Sequence, residues 1–196
     1  VTGSDKKNRA VFLDRDGTIN EEVGYLSRLE ELKIYDNAAE AIRLLRQKGF
    51  LAIVITNQSG VARGFFSEDF ILTVHNKMNE YMKERGAWLD ALYYCPHHPR
   101  YGNEHYRKEC SCRKPHPGLL IRAAEDFDID LKRSYVVGDM PRDMDTARRV
   151  GAKGVMVKTG YGRNVVATSK PDYIAEDLLD AANWIIRDQE IGDTDN

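Results

Sequence analysis

Five short apolar runs, Ala10–Leu13, Leu51–Ile55, Ala91–Tyr94, Tyr135–Val137 and Gly154–Val157, punctuate the chain between longer stretches of helical periodicity. Each is rich in β-branched or aromatic residues and apolar at successive positions rather than alternate ones. A strand of that kind has to be covered on both faces, as in a parallel sheet packed between helices. The runs end in Asp, Thr-Asn, Cys-Pro, Gly-Asp and Lys-Thr-Gly, and Asp172–Ala175 is a weaker sixth candidate. Between them, Asn37–Lys48 puts Ala38, Ala41, Ile42 and Leu45 on one stripe ahead of Gly49. Ser67–Arg85 opens on Ser-Glu-Asp, a helix-capping sequence, and carries Phe70, Ile71, Val74, Met78, Tyr81 and Met82 at helical spacing. Gly118–Phe127, Arg142–Val150 and Glu176–Arg187 complete the alternation. The expected fold is α/β: a Rossmann-like three-layer arrangement with a mainly parallel sheet, whose ligand sits at the carboxyl ends of the strands.

A length of 196 residues suits one domain, expected over residues 10–188 with flexible ends at 1–9 and 189–196. The 29 basic and 31 acidic side chains leave a formal charge of −2, which argues against nucleic acid or an anionic membrane as a partner. No window approaches 18 uninterrupted apolar residues, and the polar start Val1–Arg9 lacks a secretory apolar core. A cytoplasmic protein, monomeric and acting on a small molecule, is the expectation.

The first strand runs into Asp14-Arg15-Asp16-Gly17-Thr18, and the fourth into Gly138-Asp139 with Asp143 and Asp145 behind it. Asp-Gly pairs also mark plain turns. In a parallel sheet, however, the two strand ends can be neighbours, so Asp14, Asp16 and Asp139 converge. Clustered carboxylates repel unless a hard cation lies between them, and all-oxygen donors suit Mg²⁺. The second strand ends Thr56-Asn57-Gln58-Ser59-Gly60, a hydroxyl plus successive backbone N–H groups that can cradle phosphate oxygens. Arg113 and Lys114 form a cationic pair just before a Pro-initiated helix.

All three cysteines fall in the irregular, Pro- and His-rich stretch that joins the third strand to that helix. Cys95 and His97 flank one residue, Cys110 and Cys112 flank another, and twelve residues separate the pairs. Two such chelating pairs make a closed tetrahedral Zn²⁺ site, structural because no position is left for water. The zinc loop spans 95–112, with His98 and then His105 competing for the place given to His97. The odd cysteine count already disfavours a disulfide framework. His75 and His116 are expected to be structural or surface residues.

Asp14-x-Asp16-Gly-Thr, Thr56-Asn57, Lys114 and Gly138-Asp139…Asp143, in that order and at those strand ends, resemble the haloacid dehalogenase superfamily over about residues 10–160. The resemblance implies phosphoryl transfer in two steps. Asp14 would be the nucleophile and Asp16 the general acid and then base. Thr56 and Asn57 would orient the phosphoryl group, and Lys114 would balance its charge. Mg²⁺ would be held by Asp14, Asp139 and the backbone carbonyl of Asp16. Within the superfamily, Asp14–Asn20, Val23–Tyr25, Thr56–Gly64, Tyr94–Pro99 and Cys110–Gly118 resemble phosphatases of sugar bisphosphates. Matching positions imply substrate contacts from Glu22, Val23, Gly24, Tyr25, Thr56, Asn57, Gln58, Ser59, Arg63, Arg113 and Lys114. One departure is Met140, where such enzymes carry a Lys beside the metal-binding Asp. No inserted cap domain fits between the motifs. Histidinol phosphate is the competing substrate, and a zinc-stabilised, non-catalytic binding module is the alternative of another class. A DNA 3′-phosphatase is disfavoured by the lack of a G-x-x-x-x-G-K-[ST] loop and of any basic excess.

Overall fold

A computed structural model describes residues 7–165 and 170–194. Its strands are β1 (Arg9–Leu13), β2 (Phe50–Asn57), β3 (Ala91–Cys95), β4 (Tyr135–Gly138), β5 (Lys153–Val157) and β6 (Tyr173–Ala175). They form one all-parallel sheet in the order β3-β2-β1-β4-β5-β6. The helices are α1 (Ala38–Gln47), α2 (Glu68–Lys83), α3 (Gly118–Phe127), α4 (Pro141–Val150), the single turn α5 (Gly162–Val165) and α6 (Leu178–Thr194).

The successive apolar positions of each strand serve two separate cores. Val11, Leu13, Val54, Val137 and Val155 face one side and pack with α1, α2 and α6 through Ile42, Leu45, Met78, Ala181 and Ile185. Phe12, Ile53, Ile55 and Val136 face the other and pack with α3 and α4 through Leu120, Ala123 and Ala147. Helices on both faces are why these strands read as continuous apolar runs, and the three-layer α/β fold follows.

Local signals explain the element ends. The Ser67 hydroxyl accepts from Phe70 N at 3.2 Å and caps α2. Pro141 opens α4 and Gly151 closes it at φ 74°. Two elements differ from expectation. The turn α5 has no apolar stripe to betray it, and α6 runs seventeen residues, past Arg187, to Thr194. Of the ends expected to be flexible, residues 1–6 and 195–196 lie outside the described residues, while Asn8 bridges to Ile129. No described helix is long and apolar enough to cross a membrane.

Reversal of the chain's winding direction between β1 and β4 places a crevice at their carboxyl ends, the position where such sheets bind ligands. Leu13 pairs with Val137, and Asp14 N donates to Val137 O at 2.9 Å, so Asp14 and Asp139 leave adjacent strands side by side.

Beneath this edge, His75 of α2 is buried, and its Nε2 has no hydrogen-bond partner. Burial, helped by the charge of Arg15, pushes its pKa down to about 3. The folded protein therefore holds His75 neutral where the unfolded chain takes up a proton near pH 6.5, and stability falls as pH drops below that value. Between pH 6.5 and 5.5 this residue should remove about 1 kcal/mol. Urea titrations of wild type and His75→Gln test this: the wild type should lose more stability over that interval, and parallel pH profiles would refute it.

Candidate active site

Four segments converge at the crevice: the ends of β1, β2 and β4, and the stretch leading into α3. Lys114 is their meeting point. Its ammonium lies 3.0 Å from Asp14 Oδ1 and 2.7 Å from Asp143 Oδ1, and donates to Ile55 O at 3.0 Å, with the whole group sealed from solvent. Asn57 fastens the lysine backbone from both sides, accepting from Lys114 N at 3.0 Å and donating to Lys114 O at 3.1 Å. Burial works against the charged lysine, but the two carboxylates outweigh it and raise its pKa.

Asp14 Oδ1 also accepts from Arg15 N at 2.7 Å. Burial raises the Asp14 pKa, opposed by Lys114. Asp139 accepts from Tyr161 N at 2.8 Å, and burial followed by the charge of Asp14 pushes its pKa up to about 8. Close packing of backbone makes this possible. Gly17 sits at φ 79°, and a Cβ there would land on the Asp139 carboxylate. Similarly, a Cβ at Gly138 would run into Asp143, whose Oδ2 accepts from Met140 N at 3.1 Å.

Oxygens of Asp14, Asp139 and Asp143 lie within 4.8 Å of one another. Three carboxylates against one lysine leave unbalanced negative charge, and a hard cation fits the oxygen donors. Asp143 was legible only as part of a motif; the structure gives it to Lys114.

The Asp16 side chain turns away from this cluster. Arg15 grips it with two bonds, Nε to Oδ1 at 3.0 Å and Nη2 to Oδ2 at 2.8 Å. Asn20 and Gln58 each add a bond at 2.9 Å. Burial tends to raise the Asp16 pKa, but Arg15 and these hydrogen bonds prevail and lower it. Gln58 Nε2 also donates to Thr56 Oγ1 at 2.9 Å, which leaves the Thr56 hydroxyl proton free to point elsewhere.

The open cavity above these groups measures about 170 Å³. Asp14, Asp16, Thr56, Asn57, Ser59, Glu22, Gly24, Tyr25 and Arg113 line it, joined by Arg142 and Tyr161. Val23 is exposed and Gln58 buried, and neither lines the cavity. Arg63 stacks on Tyr101, 3.7 Å from the ring centre, and borders a neighbouring depression instead. Sequence pattern missed Arg142 and Tyr161, which belong to no motif. Met140 carries no charge, and the cation on this turn is Arg142.

Cys95, His97, Cys110 and Cys112 form the second cluster. The sulfurs are 3.2–3.6 Å apart and His97 Nδ1 lies 3.3 Å from Cys112 Sγ. Disulfide sulfurs would be about 2 Å apart. A tetrahedral ion about 2.3 Å from each sulfur needs edges of about 3.8 Å, close to those seen. The Cys112 thiol falls to about 5, chiefly through its hydrogen bond with Cys95, while Cys95 is raised by the same bond. His98 Nδ1 instead accepts from Arg100 N, and His105 is also outside the cluster. The loop is pinned to α2, where Glu68 accepts from Tyr94 at 2.6 Å and from Tyr106 at 2.8 Å. It reaches the cavity through Arg113, whose Nη1 donates to His97 O at 3.2 Å.

A HAD-hydrolase-like family model matches residues 111–181. A D-glycero-D-manno-heptose-1,7-bisphosphate 7-phosphatase of Thermosynechococcus vestitus is 44% identical over 185 residues, covering 90% of this chain and 94% of that protein. The D-glycero-beta-D-manno-heptose-1,7-bisphosphate 7-phosphatase of Escherichia coli K12 is 42% identical, covering 92% and 95%. Among solved structures, D,D-heptose 1,7-bisphosphate phosphatase from B. bronchiseptica, complexed with magnesium and phosphate, superposes with a TM-score of 0.83. It is 32% identical and covers 92% of this chain and 99% of its own. The chain belongs to the haloacid dehalogenase-like (HAD) hydrolases.

The cysteine cluster predicts one equivalent of zinc per chain in protein purified without chelators, and little or none in Cys112→Ser. Elemental analysis checks this, and metal-free wild type with an ordered loop would contradict it.

Proposed function

We propose that this chain is a Mg²⁺-dependent phosphatase. It removes the 7-phosphate of D-glycero-D-manno-heptose 1,7-bisphosphate and leaves heptose 1-phosphate, a step toward nucleotide-activated heptose. The observation that carries the reading is the sealed Lys114 bridge beside Asp14. It holds a carboxylate at the bottom of a small polar cavity, with cations around it and a hydroxyl above it. Similarity to the heptose bisphosphate phosphatases over nine-tenths of the chain supports the substrate.

Asp14 attacks phosphorus and the sugar oxygen leaves, giving an aspartyl-phosphate that water then hydrolyses. Oδ1 is occupied by Arg15 N and Lys114, so Oδ2 is the attacking atom. Thr56 donates its free hydroxyl proton to a phosphoryl oxygen, and Lys114 offsets charge on the group in transit. Asn57 acts chiefly by holding Lys114 in place. Asp16 stands ionised in its cradle of Arg15, Asn20 and Gln58, so protonating the leaving oxygen requires it to take a proton and swing toward the cavity. In the second step it accepts a proton from the attacking water. Asp14, Asp139 and the backbone carbonyl of Asp16 would hold Mg²⁺, which would supply positive charge to offset the phosphoryl oxygens that otherwise repel the nucleophile.

Cys95, His97, Cys110 and Cys112 would hold Zn²⁺, which would order the loop that leads into Arg113 and Lys114. Glu22, Gly24, Tyr25 and Ser59 contact the sugar and its second phosphate. Residues 10–188 are read as one catalytic domain, monomeric and cytoplasmic, where thiols stay reduced and available to metal.

Phosphate release from the heptose bisphosphate should require Mg²⁺ and exceed that from histidinol phosphate at least tenfold in kcat/KM. Asp14→Asn should reduce turnover by at least about a thousandfold, because the amide is no nucleophile. A near-wild-type rate in that variant would end the assignment. NMR of the product should show phosphate retained at the anomeric carbon.

A further inference from the structure

The cavity holds a cation that neither the motifs nor the mechanism above employs. Arg142, the second residue of α4, lines it together with Asp14, Asp16, Glu22 and Arg113. Its Nε is shielded from solvent and has no hydrogen-bond partner. Among the described residues no carboxylate forms an ion pair with its guanidinium, although Asp14, Asp139, Asp143 and Glu22 all lie near enough to act on its charge. Arg113 feels the same charge as repulsion, so two guanidinium groups border one small polar space. These carboxylates hold the half-buried Arg142 charged without hydrogen-bonding its Nε, and its planar fork is left to suit an anion with several oxygens.

We propose that Arg142 is a phosphate-binding residue that grips non-bridging oxygens of the phosphoryl group transferred to Asp14. This deepens the phosphatase reading and rests on it. Rooting decides between the two phosphates of the substrate. Arg142 springs from the helix that carries Asp143 and begins two residues after Asp139, so the charges around it are those of the reacting centre. Arg113 is tethered to the zinc loop through His97 O, which leaves it for the remainder of the substrate. Met140, the neighbour of Asp139, offers no charge, and Lys114, whose ammonium already bonds Asp14, Asp143 and Ile55 O, acts on the phosphoryl group through its charge and has no donor left for its oxygens. Arg142 is thus the cation of this turn still available to the phosphoryl oxygens.

The test compares wild type, Arg142→Lys and Arg142→Gln on the heptose bisphosphate, on an aryl monophosphate, and for inhibition by inorganic phosphate with Mg²⁺ present. Losing a charged hydrogen bond corresponds to about 10- to 100-fold. Arg142→Gln should lose that much kcat/KM on both substrates alike and weaken phosphate inhibition at least tenfold, with Arg142→Lys in between. A loss confined to the bisphosphate, with phosphate inhibition unchanged, would place Arg142 at the other phosphate and overturn the proposal. Unchanged kinetics and inhibition would overturn it too. Thermal melting identifies a folding defect in Arg142→Gln, and Arg142→Lys then carries the comparison. If wild type cleaves the aryl phosphate but not the bisphosphate, the substrate assignment fails while the aryl and inhibition measurements still decide the role of Arg142. If wild type cleaves neither, calorimetric binding of inorganic phosphate decides it.

Discussion

A buried ammonium between two buried carboxylates organises this molecule. Lys114 reaches Asp14 at the end of β1, Ile55 O in β2 and Asp143 in α4, and Asn57 clamps its backbone. Two neighbouring strands, a helix and the stretch that follows the cysteine loop therefore meet in one set of contacts. Removing one partner of such a group leaves a buried charge uncompensated, typically at a cost of about 3–5 kcal/mol. In the same arrangement Asp14, Asp139 and Asp143 outnumber the one lysine bonded among them, with Arg142 the cation that acts on all three from alongside. The deficit is what a metal and a phosphoryl-binding arginine would meet.

Much of this was legible in the sequence. The runs at Ala10–Leu13, Leu51–Ile55 and Tyr135–Val137 are apolar at every position because helices cover both faces, and one-dimensional pattern reports that directly. Asp14 and Asp139 could be placed together because a parallel sheet brings strand ends to one edge. The cysteine and histidine spacing pointed to a single cluster with His97 as its fourth member, and the fold leaves the rivals His98 and His105 outside it. Side-chain partnerships across the crossovers were not legible. That Asn57 holds a lysine fifty-seven positions away, that Gln58 turns inward to Asp16, or that Arg63 stacks on Tyr101, depends on register and loop path. Arg142 and Tyr161 belong to no recognisable spacing, and α5 is too short to show periodicity.

The cysteine loop and the edge of the sheet that carries Asp14 are one mechanical unit. Cys95 ends β3, and its carbonyl accepts from Gln58 N at 2.8 Å, beside the residue that grips Lys114. Cys112 precedes Arg113 and Lys114 directly in the chain. Tyr94 and Tyr106 anchor the loop to Glu68 from two sides. A long irregular segment is entropically expensive to order, and here the order is spent on setting Arg113 at the cavity and Lys114 against the buried carboxylates beside it. With no inserted cap domain among the described residues, this loop and the turn carrying Glu22–Tyr25 shape the entrance.

The dual role of Lys114 is tested most directly by separating its charge from its fold. Lys114→Met should lower unfolding free energy by about 3 kcal/mol or more. Adding Asp143→Asn removes the surplus charge, so the double variant should regain most of that stability while phosphate release stays at least about a thousandfold below wild type. Recovery of activity together with stability would contradict the role of Lys114 at the phosphoryl group. Failure of stability to recover would contradict the Lys114–carboxylate contacts as what holds this edge of the sheet together.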